Sequence, residues 1–126
     1  MAVILVVDDD PDILDLIVFV LQGADHEVLA ASGPTPALAH AASRDLDLVI
    51  TDFHMPDMTG ADLVRQLRKS PSRNDVPAIL VTAAATKSTV PDGLFTRWIT
   101  KPFAPRSLRA EVNDVLATTP NPRRLR

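Results

Sequence analysis

Five short apolar runs, each stopping abruptly on polar residues, constrain this chain more than any other feature. Val3–Val7 reads VILVV, β-branched and apolar on both faces, which is how a strand in the middle of a parallel sheet reads. Weaker or shorter counterparts span Glu27–Ala31, Leu46–Thr51, Val76–Val81 and Arg97–Thr100. Helical spacing fills the intervals. Asp10 and Pro11 give an N-cap and a proline at the first helical position, and Ile13, Leu16, Ile17, Val20 and Leu21 then share a face. Gly23 is placed to stop that helix. A second, alanine-rich helix is expected with Thr35 as cap and Pro36 as first residue, and a third from about Gly60 to Lys69 behind a Thr59 cap. Pro71–Asp75 reads as loop, and a last helix starts near Pro105. Between the fourth and fifth runs, Thr86, Ser88, Thr89, Val90 and Pro91 are poor helix formers. Strand alternating with helix implies an α/β domain with a parallel sheet, helices on both faces and right-handed crossovers.

In such sheets ligands gather at the carboxyl ends of the strands. The residues arriving there are Asp8 and Asp9 after the first run, Asp52 after the third, Thr82 after the fourth and Lys101 after the fifth. Taken singly, Asp52 reads as a loop cap, Thr82 as a strand-end hydroxyl and Lys101 as a solvated charge. Asp10 keeps the plain role of helix cap. Together they make a site. Three neighbouring carboxylates repel one another, and a divalent cation relieves this. An oxygen-only donor set points to Mg²⁺. With the charge relieved, Asp52 serves as a nucleophile that needs no general base, while Lys101 and Thr82 engage phosphoryl oxygens. That is phosphoryl transfer by positioning and charge neutralisation.

Composition narrows the classes further. A hydrophobic fraction of 46% fits one globular domain. The formal charge of −3 is too small to imply a polyanion partner. The absence of cysteine excludes disulfides and thiolate metal sites and suits a reducing compartment. Met1-Ala2 runs straight into the first apolar run, with no basic flank and no long apolar segment, so no signal peptide or membrane span is expected and a cytoplasmic location is.

The runs ILVVDDDPDI, DLVITDFHMPDMTG, ILVTA and ITKPF, in this order, resemble the receiver domain of two-component response regulators over about residues 3 to 117. The resemblance implies a flavodoxin-like, doubly wound five-stranded sheet of order 2-1-3-4-5, with a receiver at 1–117 and a flexible tail at 118–126. It implies a signalling domain rather than a turnover enzyme, one that accepts a phosphoryl group from a histidine kinase or histidine phosphotransfer protein and then alters its contact with a downstream protein. Asp52 matches the phosphoacceptor. Asp8, Asp9 and the His54 backbone carbonyl match the Mg²⁺ contacts, Asp9 being the direct ligand of the acidic pair. Thr82 and the Ala83 backbone match the phosphoryl contacts, Lys101 the family's lysine, and Lys101–Pro102 its cis peptide. Trp98 matches the aromatic switch position that works with Thr82. Indole is larger than the usual tyrosine, so a damped or altered switch is expected.

Three departures stand out. Thr82 and Lys101 are 19 residues apart, shorter than the family leads one to expect, so the fourth helix is expected to be short or irregular. His54 and Ala84 follow Asp52 and Thr82 by two residues, where side chains influence acyl-phosphate hydrolysis; Ala84 cannot orient a water. Thr59 replaces a common acidic residue. The nine-residue tail is too short for a DNA-binding unit, so protein contact rather than direct nucleic-acid binding is expected, with oligomeric state open. The alternatives are a pseudo-receiver that binds without phosphorylation, a receiver cut from a hybrid histidine kinase, and a small aspartyl phosphatase. The last is disfavoured because His54 stands where a general-acid carboxylate is wanted.

Overall fold

A computed structural model describes residues 1–83 and 93–118. In chain order the elements are β1 (Val3–Val7), α1 (Pro11–Gly23), β2 (Glu27–Ala31), α2 (Pro34–Ser43), β3 (Leu48–Thr51), α3 (Gly60–Leu67), β4 (Ala78–Ala83), β5 (Arg97–Lys101) and α4 (Pro105–Thr118), with a short 3-10 turn at Pro71–Arg73. All strands are parallel, in the order β2-β1-β3-β4-β5. This is the parallel sheet expected from the alternation, in the doubly wound order that the resemblance implies. The expected short or irregular fourth helix, Ala84 and residues 119–126 of the expected tail lie outside the described residues, while Thr118, the first residue of that tail, ends α4.

Burial explains which runs looked strongest. β1 and β3 are buried at every position, and β4 at every position but its last, because helices cover both faces. β2 and β5 are edge strands and only partly buried, so their sequences need less apolar character. Alternate strand residues feed two cores. Leu5, Val49 and Leu80 pack with Ala37 and Ala41 of α2 and Leu63, Val64 and Leu67 of α3. Ile4, Ile50 and Ile79 pack with Ile17, Val20 and Leu21 of α1 and Leu108, Val112 and Val115 of α4. Each fully buried Leu or Ile contributes about 1.5–3 kcal/mol relative to exposure. Among the described residues, no helix is long and apolar enough to cross a membrane.

The helix starts follow the capping chemistry with one correction. The Asp10 carboxylate accepts from the amides of Asp12 (2.9 Å) and Ile13 (3.4 Å), ahead of Pro11. Thr59 and Asp62 form a reciprocal capping box at α3. α2, however, starts at Pro34 behind Gly33, with no side-chain cap, rather than at Pro36 behind Thr35. Pro34 already has the helical φ and no N–H to satisfy, so it opens the helix earlier. At the end of α1 the left-handed turn falls on Asp25 (φ 65°), an aspartate that tolerates it, rather than on Gly23.

Several strand limits also move, β5 by one residue, to Lys101. β4 begins at Ala78 because Pro77 has no N–H for the ladder and contributes only its carbonyl, to Val49 at 3.0 Å. It runs on through Thr82 to Ala83. β3 begins at Leu48 rather than Leu46, because the Asp47 carboxylate takes the Val3 N–H at 2.7 Å.

Candidate functional site

β1 lies between β2 and β3, so the direction of winding reverses beside it. The loops leaving β1 and β3 diverge there and open a crevice at the carboxyl edge of the sheet. Val7 pairs with Thr51, so the residues that follow, Asp8 and Asp52, emerge side by side. The Asp52 N–H donates to the Val7 carbonyl at 3.1 Å, and the Asp8 N–H to Ala31 at 3.2 Å.

Lys101, the last residue of β5, reaches across this crevice. Its Nζ donates to Asp8 Oδ2 and to Asp52 Oδ2, each at 2.9 Å. Asp8 Oδ1 accepts from the Asp10 amide at 2.9 Å, and Asp52 Oδ1 from the Phe53 amide at 2.6 Å. Asp9 is exposed, and its carboxylate lies with those of Asp8 and Asp52 in one group whose ligand atoms fall within 4.8 Å of each other. The Lys101–Pro102 peptide is cis.

Charge in this group is not balanced. Asp8 is 1% exposed, and burial pushes its carboxyl above the ordinary aspartate value. The Asp10 amide and Lys101 work against that rise, and the Asp52 charge adds to it. Burial also opposes the Lys101 charge, but its hydrogen bonds to Asp52 and Asp8 prevail and hold the ammonium above the ordinary lysine value. One ammonium thus keeps itself charged without relieving its most buried partner. Three carboxylates against one lysine fit a hard cation with oxygen ligands.

The remaining expected residues sit around this group at different depths. Thr82 is buried near the end of β4, in register with Thr100, and Ala83 is exposed at the strand's last position, in register with Lys101. His54 is exposed in the loop after β3, its ring edge-on to Phe53 at 5.0 Å between centroids. Trp98 is three residues below the rim, in register with Leu80. It is half-buried against the α2/α3 core and edge-on to Phe95 at 6.5 Å. Two local supports escaped the sequence reading. The buried Thr51 hydroxyl donates to the Asp52 carbonyl at 2.9 Å, and the Gly60 N–H donates to the Phe53 carbonyl at 2.7 Å. Gly60 in the sequence read only as part of a helix start.

Known proteins share the family and the fold of this chain. The family model of the response regulator receiver domain matches residues 4–113. The chain is 35% identical over 119 residues to the phosphate regulon transcriptional regulatory protein PhoB of Pseudomonas aeruginosa, covering 92% of this chain and 52% of that protein. It therefore spans about half the length of that relative. It is 34% identical over 120 residues to a chemotaxis protein CheY homolog of Campylobacter jejuni, covering 91% of this chain and 92% of that one. The solved structure of the response regulator TrrA of Thermotoga maritima, in complex with Mg²⁺–BeF, superposes with a TM-score of 0.81 at 31% identity, over 91% of this chain and 99% of that one. With the 2-1-3-4-5 sheet, the acidic group and its lysine already in place, the chain belongs to the response regulator receiver domain family.

Proposed function

We propose that Asp52 accepts a phosphoryl group from a phosphohistidine of a histidine kinase or histidine phosphotransfer protein. The observation that carries this is the Lys101 ammonium shared at 2.9 Å by Asp8 and Asp52 beside Asp9, at the crevice between β1 and β3. An Asp52 carboxylate oxygen forms the new O–P bond as the P–N bond to the donor histidine breaks, and the imidazole leaves with that electron pair. Asp8, Asp9, Asp52 and the His54 carbonyl would hold Mg²⁺, which when bound would neutralise phosphoryl charge. Lys101 follows the charge from Asp52 Oδ2 onto a phosphoryl oxygen. The Thr82 hydroxyl and the Ala83 amide take the others.

Residues 1–117 act in this reading as the receiver, whose output is an altered surface for a downstream protein. Phosphorylation replaces the single charge of the Asp52 carboxylate by an acyl phosphate of about −2, a net gain of about one negative charge at a rim that is already anionic, and this is the electrostatic drive for rearrangement. The domain assists its own phosphorylation and dephosphorylation but turns over no external substrate. It works in the cytoplasm by protein contact, without touching nucleic acid itself. Phosphoryl incorporation from acetyl phosphate with Mg²⁺, read by intact mass, tests the assignment. Wild type is expected to gain one phosphoryl group and Asp52→Asn none. Equal labelling of the two sinks Asp52 as the acceptor.

A further inference from the structure

The loop that leaves β3 comes straight back to the strand end it left. Gly60, the first residue of α3, donates its N–H to the Phe53 carbonyl at 2.7 Å, so the helix begins against the Phe53–His54 peptide, one on from the Asp52–Phe53 peptide. A Cβ built on Gly60 would lie well inside van der Waals contact of the Asp52 carbonyl oxygen. It would also be 3.1 Å from the Asp52 carbonyl carbon and from Thr51 Cγ2. The obstacle is backbone, which cannot swing aside as a side-chain end does. The contrast with other glycines decides the point: at Gly33 a Cβ meets nothing, and at Gly23 only the tip of Arg109 at 4.0 Å.

The crowded carbonyl belongs to the unit that aims the carboxylate. The Thr51 hydroxyl holds that carbonyl at 2.9 Å. The Phe53 amide of the same peptide holds Asp52 Oδ1 at 2.6 Å, which leaves Oδ2 for Lys101. We infer that Gly60 is a positioning residue for phosphoryl acceptance: its missing side chain lets α3 seat directly on the Asp52–Phe53 peptide, and that seating fixes the direction of the Asp52 carboxylate. With a methyl group at Gly60, either α3 lifts from the rim or the peptide turns. In both cases the bond from the Phe53 amide to Oδ1 lengthens and Oδ2 leaves its place opposite Lys101. This rests on the proposed role of Asp52.

The test compares Gly60→Ala with Leu63→Ala. Leu63 is a fully buried α3 residue whose apolar side chain makes none of the hydrogen bonds that hold the Asp52 carboxylate, so its truncation costs stability by leaving a cavity. Both variants are studied as the whole chain, at denaturant concentrations giving equal folded fractions. The first readout needs neither metal nor phosphate: the amide proton shift of Phe53 in a ¹H–¹⁵N spectrum, which moves upfield as its hydrogen bond lengthens. The second is the initial rate of labelling by acetyl phosphate with Mg²⁺.

Gly60→Ala is expected to move the Phe53 amide upfield and to slow labelling roughly 10–100-fold, the usual cost of an ångström-scale misplacement. Leu63→Ala is expected to change neither. Wild-type values of both readouts in Gly60→Ala overturn the inference, as does an equal effect of Leu63→Ala. If Gly60→Ala does not fold, Thr51→Val serves instead, since it removes the hydroxyl that holds the same carbonyl. It should shift the Phe53 amide the same way and slow labelling about three- to tenfold, the worth of one hydrogen bond; no change in either readout overturns the inference. Wild type that takes no label, or labels equally in Asp52→Asn, overturns the Asp52 assignment itself. Labelling that depends on Asp52 but not on Gly60 overturns only the Gly60 inference.

Discussion

Each rim of the sheet carries a buried aspartate, and the two are handled differently. On the amino-end rim Asp47, 2% exposed, is tied to Val3 in both directions: its Oδ2 accepts the Val3 N–H at 2.7 Å and its own N–H donates to the Val3 carbonyl at 2.8 Å. On the carboxyl-end rim Asp8, 1% exposed, faces the Asp52 carboxylate and shares Lys101 with it. The first arrangement fixes the start of β3 against the start of β1. The second leaves an anionic group that welcomes further positive charge. Burial of a carboxylate is thus compatible with a clamp or with a site, and the partners decide which.

The sharpest way to break this contrast is to remove one charge from each rim. Asp8→Asn should lower Mg²⁺ affinity roughly 10–100-fold or more, measured by calorimetric titration, because it removes a donor from the group. It should leave the metal-free fold at least as stable, since burial already disfavours the Asp8 charge. Asp47→Ala should do the reverse. Stranding the buried Val3 N–H costs about 1–3 kcal/mol in urea denaturation, with labelling of Asp52 kept. A variant that changes both properties equally would erase the distinction between the rims.

A smaller effect separates the rims by pH. His26, at the amino end, accepts the Ala2 N–H on Nδ1 at 3.2 Å, and burial chiefly holds its imidazole below the ordinary 6.5. Its neutral form is the one the fold prefers. Its contribution is therefore full above about pH 6.5 and is lost as pH falls through the folded value. Asp8 has the opposite sign: its raised pKa favours the protonated form, so the metal-free fold gains as pH falls through the raised folded value, and the gain is complete below the ordinary 3.8. Stability measured without metal should fall less steeply in His26→Gln than in wild type as pH drops below about 6.5, and more steeply in Asp8→Asn as pH drops toward 3.8. Matching slopes in all three would refute the assignment.

The smallest expected signal comes from Trp98, the sole tryptophan. Its indole is already half-buried against Phe95 and the α2/α3 core. Saturating phosphorylation or a beryllofluoride mimic should therefore change its emission only slightly, as a damped switch requires. A large blue shift would show full inward rotation, and an unchanged spectrum would remove Trp98 from the switch.

Several features were legible from local chemistry. The central strand β1 announced itself as VILVV, because a strand covered on both faces has no reason to alternate. The Asp10 and Thr59 caps followed from side chains that reach only two or three residues. The carboxylates and Lys101 were legible as a set because parallel strands deliver their ends to one edge. The start of α2 was misread because Thr35 and Pro34 both offer plausible openings, and the choice lies in the backbone path out of β2. Gly60 carried no signal of its role, since the atom it must avoid belongs to Asp52, eight residues earlier and brought back by the turn.

What the sequence determined alone is the alternation of strand and helix, and with it the edge on which Asp8, Asp9, Asp52, Thr82 and Lys101 must emerge. Those are consequences of local periodicity and of the handedness of parallel crossovers. Only the tertiary structure decided that one ammonium is shared by Asp8 and Asp52, that Asp47 is a clamp while Asp8 is not, and that α3 rests on the Asp52 peptide. The reason is physical: contacts of about 3 Å between residues far apart in sequence depend on how elements pack, and no local pattern encodes that packing to such precision.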